Sequence, residues 1–363
     1  MPTLETKFLD DVILSRRSLL AGSAALAALS LAPKQAAAQA AVSTYSDNDI
    51  LNFALNLEYL EANFYYLAAF GTTIEAGNAA STAANAPVLG INGVLGNNPS
   101  GSTSGVSANF GVMNAPATAS YKVNFASPVL AAYAVETAVE EGKHVQLLRQ
   151  ALGSLAVAQP ALNLTPNLFD TLAGAAGVSS SLRPYSPYAN EAYFLLGAYI
   201  FEDVGVSAYH GAAPLITGKT TILPVAAGIH AVEAYHAGLI RYSIIVADAA
   251  GTYAPAGTLA TVTGQLSAFR NSAAQAKPQS PSNPADPNPD DYGTGNQTVT
   301  LNSTTQVTAT QIVNAGPASS TAPAISFGRS TAQVLNIVTA GGANQGSIAT
   351  GGFFPQGLNG IFI

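Results

Sequence analysis

The sequence predicts an all-α core, an antiparallel four-helix bundle, with a long insert between the first two helices and an irregular, partly β C-terminal extension. Three observations predict it. Four stretches of near-equal length carry helical start and stop signals. The second and fourth contain the same short pattern, Glu-x-x-His, in an apolar setting. The first and third each carry a glutamate in an equally apolar setting.

The first helix is expected over 46–70, with Ser46 as N-cap and Asp47 and Asp49 in the first turn, where the helix dipole favours negative charge. The second is expected over 127–152: Ser127 caps it, Pro128 takes the first helical position and Gly153 stops it. The third, over 187–210, has a Ser186-Pro187 start and a Gly211 stop, and the fourth, over 222–249, runs to just before Gly251. Each is roughly 36 Å long at the α-helical rise, a suitable length for a bundle.

Outside the helices the chain divides by composition. Residues 1–40 read as an export signal: Ser15-Arg16-Arg17-Ser18-Leu19-Leu20 is a twin-arginine pattern, an apolar run continues to Leu31, and Ala38-Gln39-Ala40 is a cleavage signature. The run is too short to span a bilayer, so no stable membrane span is expected. The expected location is periplasmic or extracellular, by a route that exports proteins already folded. The bundle domain would be 41–251, interrupted by the Gly-, Ala-, Asn-, Ser- and Thr-rich insert 71–126. Such long structureless inserts are unusual. Residues 153–186 form a medium connection. The extension 252–363 holds a Pro-rich linker (277–295), a Thr/Val alternation over Gln297–Val307 that reads as strand, and an apolar end from Gly351 to Ile363. That end should dock on its own bundle or a neighbouring subunit.

Composition narrows the function. In 363 residues the chain has 48% hydrophobic and 9% charged residues, a net charge of −7, and 13 Lys plus Arg that form no patch. No nucleic-acid partner is expected, because phosphates demand a basic surface. With no Cys, disulfides, zinc knuckles and thiol nucleophiles are excluded.

The chemistry lies in the paired pattern. Two of the four His occur in Glu141-Gly142-Lys143-His144 and Glu233-Ala234-Tyr235-His236. Spacing of i, i+3 sets both side chains of each pair on one helix face. Glu58 (in NLEYLEANFYYL) and Glu202 (in AYIFEDVGVSAY) complete the order Glu, Glu-x-x-His, Glu, Glu-x-x-His. That is the ligand set of a two-metal carboxylate site in a helical bundle. Four carboxylates converging in a core would repel one another, and two divalent cations would neutralise them. The helices offer only Lys143, Arg149 and Arg241 as an alternative. Carboxylates plus imidazole suit iron or manganese, and iron is the expected metal. Among neighbours, Glu61 reads as an extra ligand, a residue supporting the ligands or a helix-surface acid. His230 either orients Glu233 or is a hydrogen-bonded core histidine. Tyr65, Tyr209 and Tyr235 are candidates near the metals or core packing. His210 reads as a partner of the third helix's C-terminal dipole, and Glu136 and Glu140 are expected to face outward.

These residues carry a resemblance. The run from Glu58 through Glu61-Ala62-Asn63-Phe64-Tyr65, and Glu202 with Tyr209 seven residues on, resemble the first and third helices of the ferritin-like superfamily. The likeness is to exported ferritin-like domain proteins of the desiccation-related type, and it covers about 46–250. The Gly351-Gly352-Phe353-Phe354-Pro355-x-Gly357 ending is similar to their tails. The resemblance implies that Glu141 and Glu233 bridge two metal ions, that Glu58 and Glu202 are terminal carboxylates, and that His144 and His236 each bind one metal. It implies dioxygen, peroxide or ferrous iron as substrate, in iron oxidation or in protection against oxidative or desiccation stress. A homo-oligomer is compatible with it, although the insert argues against a hollow storage cage. Two alternatives stay open: a non-catalytic structural or surface stress protein, and a di-manganese catalase.

Overall fold

A computed structural model of the chain describes residues 45–74, 121–275, 291–301, 305–314, 325–341 and 350–361. The expectations for the export signal, for most of the 71–126 insert and for most of the 277–295 linker fall outside the described residues. Within residues 46–361 the described elements are α1 (Asp47–Phe70), α2 (Pro128–Leu152), α3 (Pro166–Ala175), α4 (Glu191–Ala212), α5 (Leu223–Ala250), α6 (Thr258–Gln275), β1 (Asn296–Leu301), β2 (Thr305–Thr310) and α7 (Thr331–Val338). Among the described residues, no helix is long and apolar enough to cross a membrane.

Helices α1, α2, α4 and α5 form the bundle. α1 packs on α2, α4 on α5, and α1 also on α4. Their contacts run in opposite chain order, which makes these neighbours antiparallel. Glu58 meets Tyr209 while Tyr65 meets Glu202, and His210 lies beside His230 while Tyr199 lies beside Arg241. The helix ends follow the local chemistry. Ser46 and Asp49 form a capping box at the start of α1, and Gly71 ends it at φ 75°, a backbone state that costs glycine little. Ser127 with Pro128 opens α2.

The third helix begins later than its Ser186-Pro187 signal suggests. Ser186 forms a turn, accepting from the Tyr188 amide, and Asn190 is the cap that accepts from the Tyr193 amide. Gly211 does not stop this helix. A Cβ there would stand 1.9 Å from the Arg329 carbonyl oxygen, so glycine lets the C-terminal segment cross the helix at close range. Three further helices were not expected. α3 lies in the 153–186 connection. α6 and α7 lie in the extension and pack on each other and on α4, and α6 also packs on α5. β1 and β2 form an antiparallel hairpin with Val299 opposite Val307.

α1 is buried nearly all round, polar residues included. An interior helix of this kind is usually apolar on every side. Here asparagines at i, i+4 and i+11 instead bind extended chain laid along the helix. Asn52 accepts from the Val157 amide and donates to the Leu155 carbonyl; Asn63 donates to the Gln159 side chain. Asn56 pairs both ways with the Asn359 backbone, donating to its carbonyl (2.9 Å) and accepting from its amide (2.9 Å). The C-terminal tail therefore packs on the bundle of its own chain. Phe353 joins Phe169 and Phe201 at centroid distances of 5.4 and 5.0 Å, in a ring cluster that continues through Phe64 and Phe194.

A buried ionic network holds the extension down. Arg241 and Arg270 both donate to Asp203, and Arg270 and Arg329 both donate to Asp291, at 2.7–2.9 Å. All five side chains are buried. Breaking such a pair costs more than forming it gains, because the abandoned charge stays in a poor solvent. Asp291→Ala should therefore destabilise the protein by about 3–5 kcal/mol, read as a drop in the denaturant midpoint. Asn56→Ala should cost about 1–3 kcal/mol by orphaning the Asn359 backbone, with faster proteolysis of the tail as the accompanying sign.

Candidate metal centre

The i, i+3 spacing of Glu-x-x-His turns Glu141 and His144 inward from α2, and Glu233 and His236 inward from α5. Glu58 on α1 and Glu202 on α4 face them. All six residues are buried, none more than 7% exposed. The structure brings them together as two groups that share one residue: Glu58, Glu141, His144 and Glu233 in the first, and Glu141, Glu202 and His236 in the second. In each group the candidate ligand atoms lie within 4.8 Å of one another. His144 Nδ1 is 3.2 Å from Glu58 Oε2, 3.3 Å from Glu141 Oε2 and 3.7 Å from Glu233 Oε1. His236 Nδ1 is 3.0 Å from Glu141 Oε1 and 3.5 Å from Glu202 Oε2. Glu141 thus turns one oxygen to each histidine. Glu141 is common to both groups, and Glu233 falls in the first.

The ligand atoms are held from behind. Tyr65 on α1 donates to Glu202 Oε1, and Tyr209 on α4 donates to Glu58 Oε1. Each tyrosine lies seven residues after the glutamate of its own helix and serves the glutamate of the other. Glu140 Oε2 lies 2.8 Å from His236 Nε2. A hydrogen on Nε2 bonded to that carboxylate leaves the Nδ1 lone pair directed at the cluster. The outward expectation for Glu140 is thereby corrected: position 140 precedes the ligand Glu141, but at the α2–α5 seam its long side chain reaches across to the neighbouring helix. Glu136 is exposed, as expected. Tyr235 is 76% exposed and leaves the list of residues near the metals. Its position two residues after Glu233 puts it about 200° round the helix. His230 does not reach Glu233; its ring lies 6.0 Å from that of His210, and its buried Nε2 has no hydrogen-bond partner among the described residues. His210 sits in the last turn of α4 beside Ser326. Lys143 is exposed, Arg149 serves Tyr59, and Arg241 serves Asp203, so none of these cations enters the cluster.

Gly205 is a residue the sequence reading missed. A Cβ at that position would lie 2.1 Å from Glu233 Oε2 and 3.4 Å from Glu61 Oε1, so only glycine leaves space for the Glu233 carboxylate. Glu61 is itself buried, at 5% exposure. The signal was present: Gly205 follows Glu202 by three, as Glu61 follows Glu58.

Electrostatics in the protein-only site are severe. Burial raises Glu58 to about 7 against the pull of His144. Burial and neighbouring carboxylates push Glu61 and Glu233 well above the usual carboxylate range, and burial also raises Glu202. Burial acts on Glu141 in the same direction, but the two imidazoles outweigh it and hold it low. Burial alone would lower the histidines. Glu58 and Glu141 nevertheless raise His144 to about 11, and Glu202 and Glu141 raise His236 to about 12. Protons here do the work that cations would otherwise do.

Whether the residues fit a metal pair can be judged from the unpaired atoms. Glu58 Oε2, Glu141 Oε1, Glu202 Oε2, both oxygens of Glu233 and His236 Nδ1 are buried without a hydrogen-bond partner among the described residues. His236 Nδ1 and Glu141 Oε1 are 3.0 Å apart, yet out of line for a hydrogen bond. Buried polar atoms are nearly always paired, and six exceptions gathered at one place call for an electrophile. Hard oxygens with imidazole nitrogen match iron or manganese.

Comparison with known proteins agrees with this geometry. The chain is 28% identical over 227 residues to the desiccation-related protein PCC13-62 of Craterostigma plantagineum, a stretch covering 62% of each chain. It is 25% identical over 315 residues to the ferritin-like catalase Nec2 of Nesocodon mauritianus, covering 87% of this chain and 84% of that one. The chain thus spans about three fifths of the first relative's length. No solved structure matches significantly. The ferritin-like domain model matches residues 46–245, which include every residue of the cluster, and the chain belongs to the ferritin-like domain family.

Proposed function

We propose that this chain, exported through its twin-arginine segment, holds two iron or manganese ions and uses them to break down hydrogen peroxide. The observation that carries the reading is the convergence of six unpaired ligand atoms inside an apolar core. The relative that aligns with most of the chain carries the name ferritin-like catalase, which favours peroxide over ferrous iron as substrate.

Glu58, His144 and Glu233 would hold one metal, Glu202 and His236 the other, with Glu141 across both. A metal pair of this kind supplies reversible two-electron chemistry, by which two peroxide molecules become one dioxygen and two waters. The chain's own residues do the rest. Tyr65 and Tyr209 fix the terminal carboxylates so that one oxygen of each is free for the centre. Glu140 sets the tautomer of His236. Glu233, with both oxygens unpaired, can hold a proton at Oε2 beside Gly205. The ring cluster of Phe64, Phe194 and Phe201 keeps bulk water off the α1–α4 side.

Elemental analysis of protein from its native compartment should find about two metals per chain, and the loaded protein should release oxygen from peroxide. Glu141→Gln should lose both metals, whereas Glu202→Gln should weaken mainly the position at His236. A folded protein with no metal and no oxygen release would leave a scaffold only. Dioxygen consumption with ferrous iron, without peroxide breakdown, would move the assignment to iron oxidation.

Metal uptake should also release protons. Metals bind neutral imidazole and ionised carboxylate, while the metal-free site keeps His144 protonated up to about 11 and Glu58 up to about 7. Affinity should therefore rise with pH. Below pH 7 the Glu58 proton must be displaced as well, so about one more proton should be released per centre at pH 5.5 than at pH 8. Calorimetry in buffers of differing ionisation enthalpy measures this. Equal proton release at both pH values would contradict the titration of Glu58.

A further inference from the structure

The two broad sides of the bundle are covered differently. On the α1–α4 side, α6, α7 and the tail pack against it, whereas on the α2–α5 side apolar side chains stand in solvent. A helix on the surface of a bundle normally turns apolar residues inward and charged residues outward. α5 obeys the inner half of that rule: Ile229, Glu233, His236, Ile240 and Ile244 are buried. Its outer face breaks the other half. Glu233, Arg241 and Asp248 are its only acidic, Lys or Arg residues, and all three are buried, so the exposed face of α5 carries no formal charge. Val225, Tyr235, Leu239, Tyr242 and Val246 are exposed there, and Val232 is half-buried. From Val225 the steps are seven residues to Val232, then three, four, three and four to Val246. That is the heptad spacing by which one helix packs along another, and it runs over three repeats.

We propose that this face is the interface of a two-fold dimer of the chain, with α2 and α5 of each copy laid antiparallel on α2 and α5 of the other. An uncharged heptad row fits a second apolar helix row, and the same chain supplies one. The charges beside the row decide the orientation. On α2, Glu136 and Lys143 are both exposed, and seven residues apart they stand on one line of the helix. Glu140, between them, reaches His236, which stands at the middle of the row from Val225 to Val246. A two-fold axis across that middle brings Glu136 of each copy to Lys143 of its partner, whereas a parallel pairing sets like charge against like. One exposed Lys is too few for an anionic lipid surface, which attracts clusters of Lys and Arg. The partner then lies over Glu140, the acid that holds His236.

The interface is independent of what the centre binds, so its test needs no activity. Sedimentation velocity across a concentration series, on protein purified from its native compartment, should show a monomer–dimer equilibrium. Leu239→Asp, which sets a carboxylate in the middle of the apolar row, should give a monomer with unchanged helical circular dichroism. Lys143→Glu or Glu136→Lys alone should raise the dissociation constant about tenfold, because like charges then face each other. Combined in one chain, the two changes should restore the original constant, which a merely misfolded variant would not do. A chain that stays monomeric over the whole series would overturn the dimer, and so would a dimer indifferent to Leu239→Asp. Weakening by the single charge changes without rescue by the pair would overturn the antiparallel arrangement. Binding of a monomer to phosphatidylglycerol vesicles, lost in Leu239→Asp, would give the face to a lipid surface instead of a second copy.

Discussion

Carboxylates inside a helical core are the constraint on which the rest of this structure depends. Glu58, Glu61, Glu141, Glu202 and Glu233 are buried together, and a buried carboxylate must be protonated, hydrogen-bonded or bound to a cation. Hydrogen bonding is used only in part. Tyr65 and Tyr209 satisfy the outer oxygens of Glu202 and Glu58, and the inner oxygens are left to face one another. The chain accepts this cost at one place and surrounds it with ordinary packing. Rings close the α1–α4 side, and asparagines on α1 bind the covering segments, so the unpaired groups are confined to the centre.

The bundle repeats itself, and the departures from the repeat are informative. α1 and α2 correspond to α4 and α5: Glu58 to Glu202, Tyr65 to Tyr209, Glu141 to Glu233, and His144 to His236. Two positions break the match. Glu61 corresponds to Gly205, and Glu140 corresponds to Val232. The first break puts a carboxyl at one position and no side chain at the other, and the Glu233 carboxylate fills the space at Gly205 beside Glu61. The second gives His236 an outer carboxylate partner where the corresponding neighbour of His144 is an aliphatic residue. Two chemically equal halves would need neither difference.

Much of this was legible in the sequence because it follows from helical periodicity. The four bundle helices and the meeting of the six candidate ligands could be read from spacing, since i, i+3 pairs in apolar helices have nowhere to point but inward. What escaped depends on contacts between distant segments. Gly211 reads locally as a stop, and only the Arg329 backbone packed against it explains why a glycine stands in the last turn of the helix. Glu140 reads as a surface acid until α5 is placed beside it. α6 had a signal that its Thr, Ser and Ala content diluted: Leu259, Val262 and Leu266 recur on one face, and Asp248 accepts from the Gly257 and Leu259 amides at its start. The ionic network could not be foreseen, because Asp291 lies within the Pro-rich stretch 277–295, whose composition argues for solvent.

That network also bears on how the family's core works in this chain. The ferritin-like match ends at residue 245, yet α1 and α4 are not covered by α2 and α5 alone. Their remaining surface is closed by α6, α7, the 155–159 segment and the tail at 353–359, held by Asp203, Asp291 and Asn56. Asp203 follows the candidate ligand Glu202 directly, so the two side chains leave α4 about 100° apart, one toward the centre and the other toward the clamp. The same turn of helix is therefore fixed from both sides. The dryness of the α1–α4 side and the set of Glu202 depend on a C-terminal layer that the bundle pattern does not contain. If that layer were lost, water would reach Glu61 and Gly205, and the charges of the centre would no longer be confined.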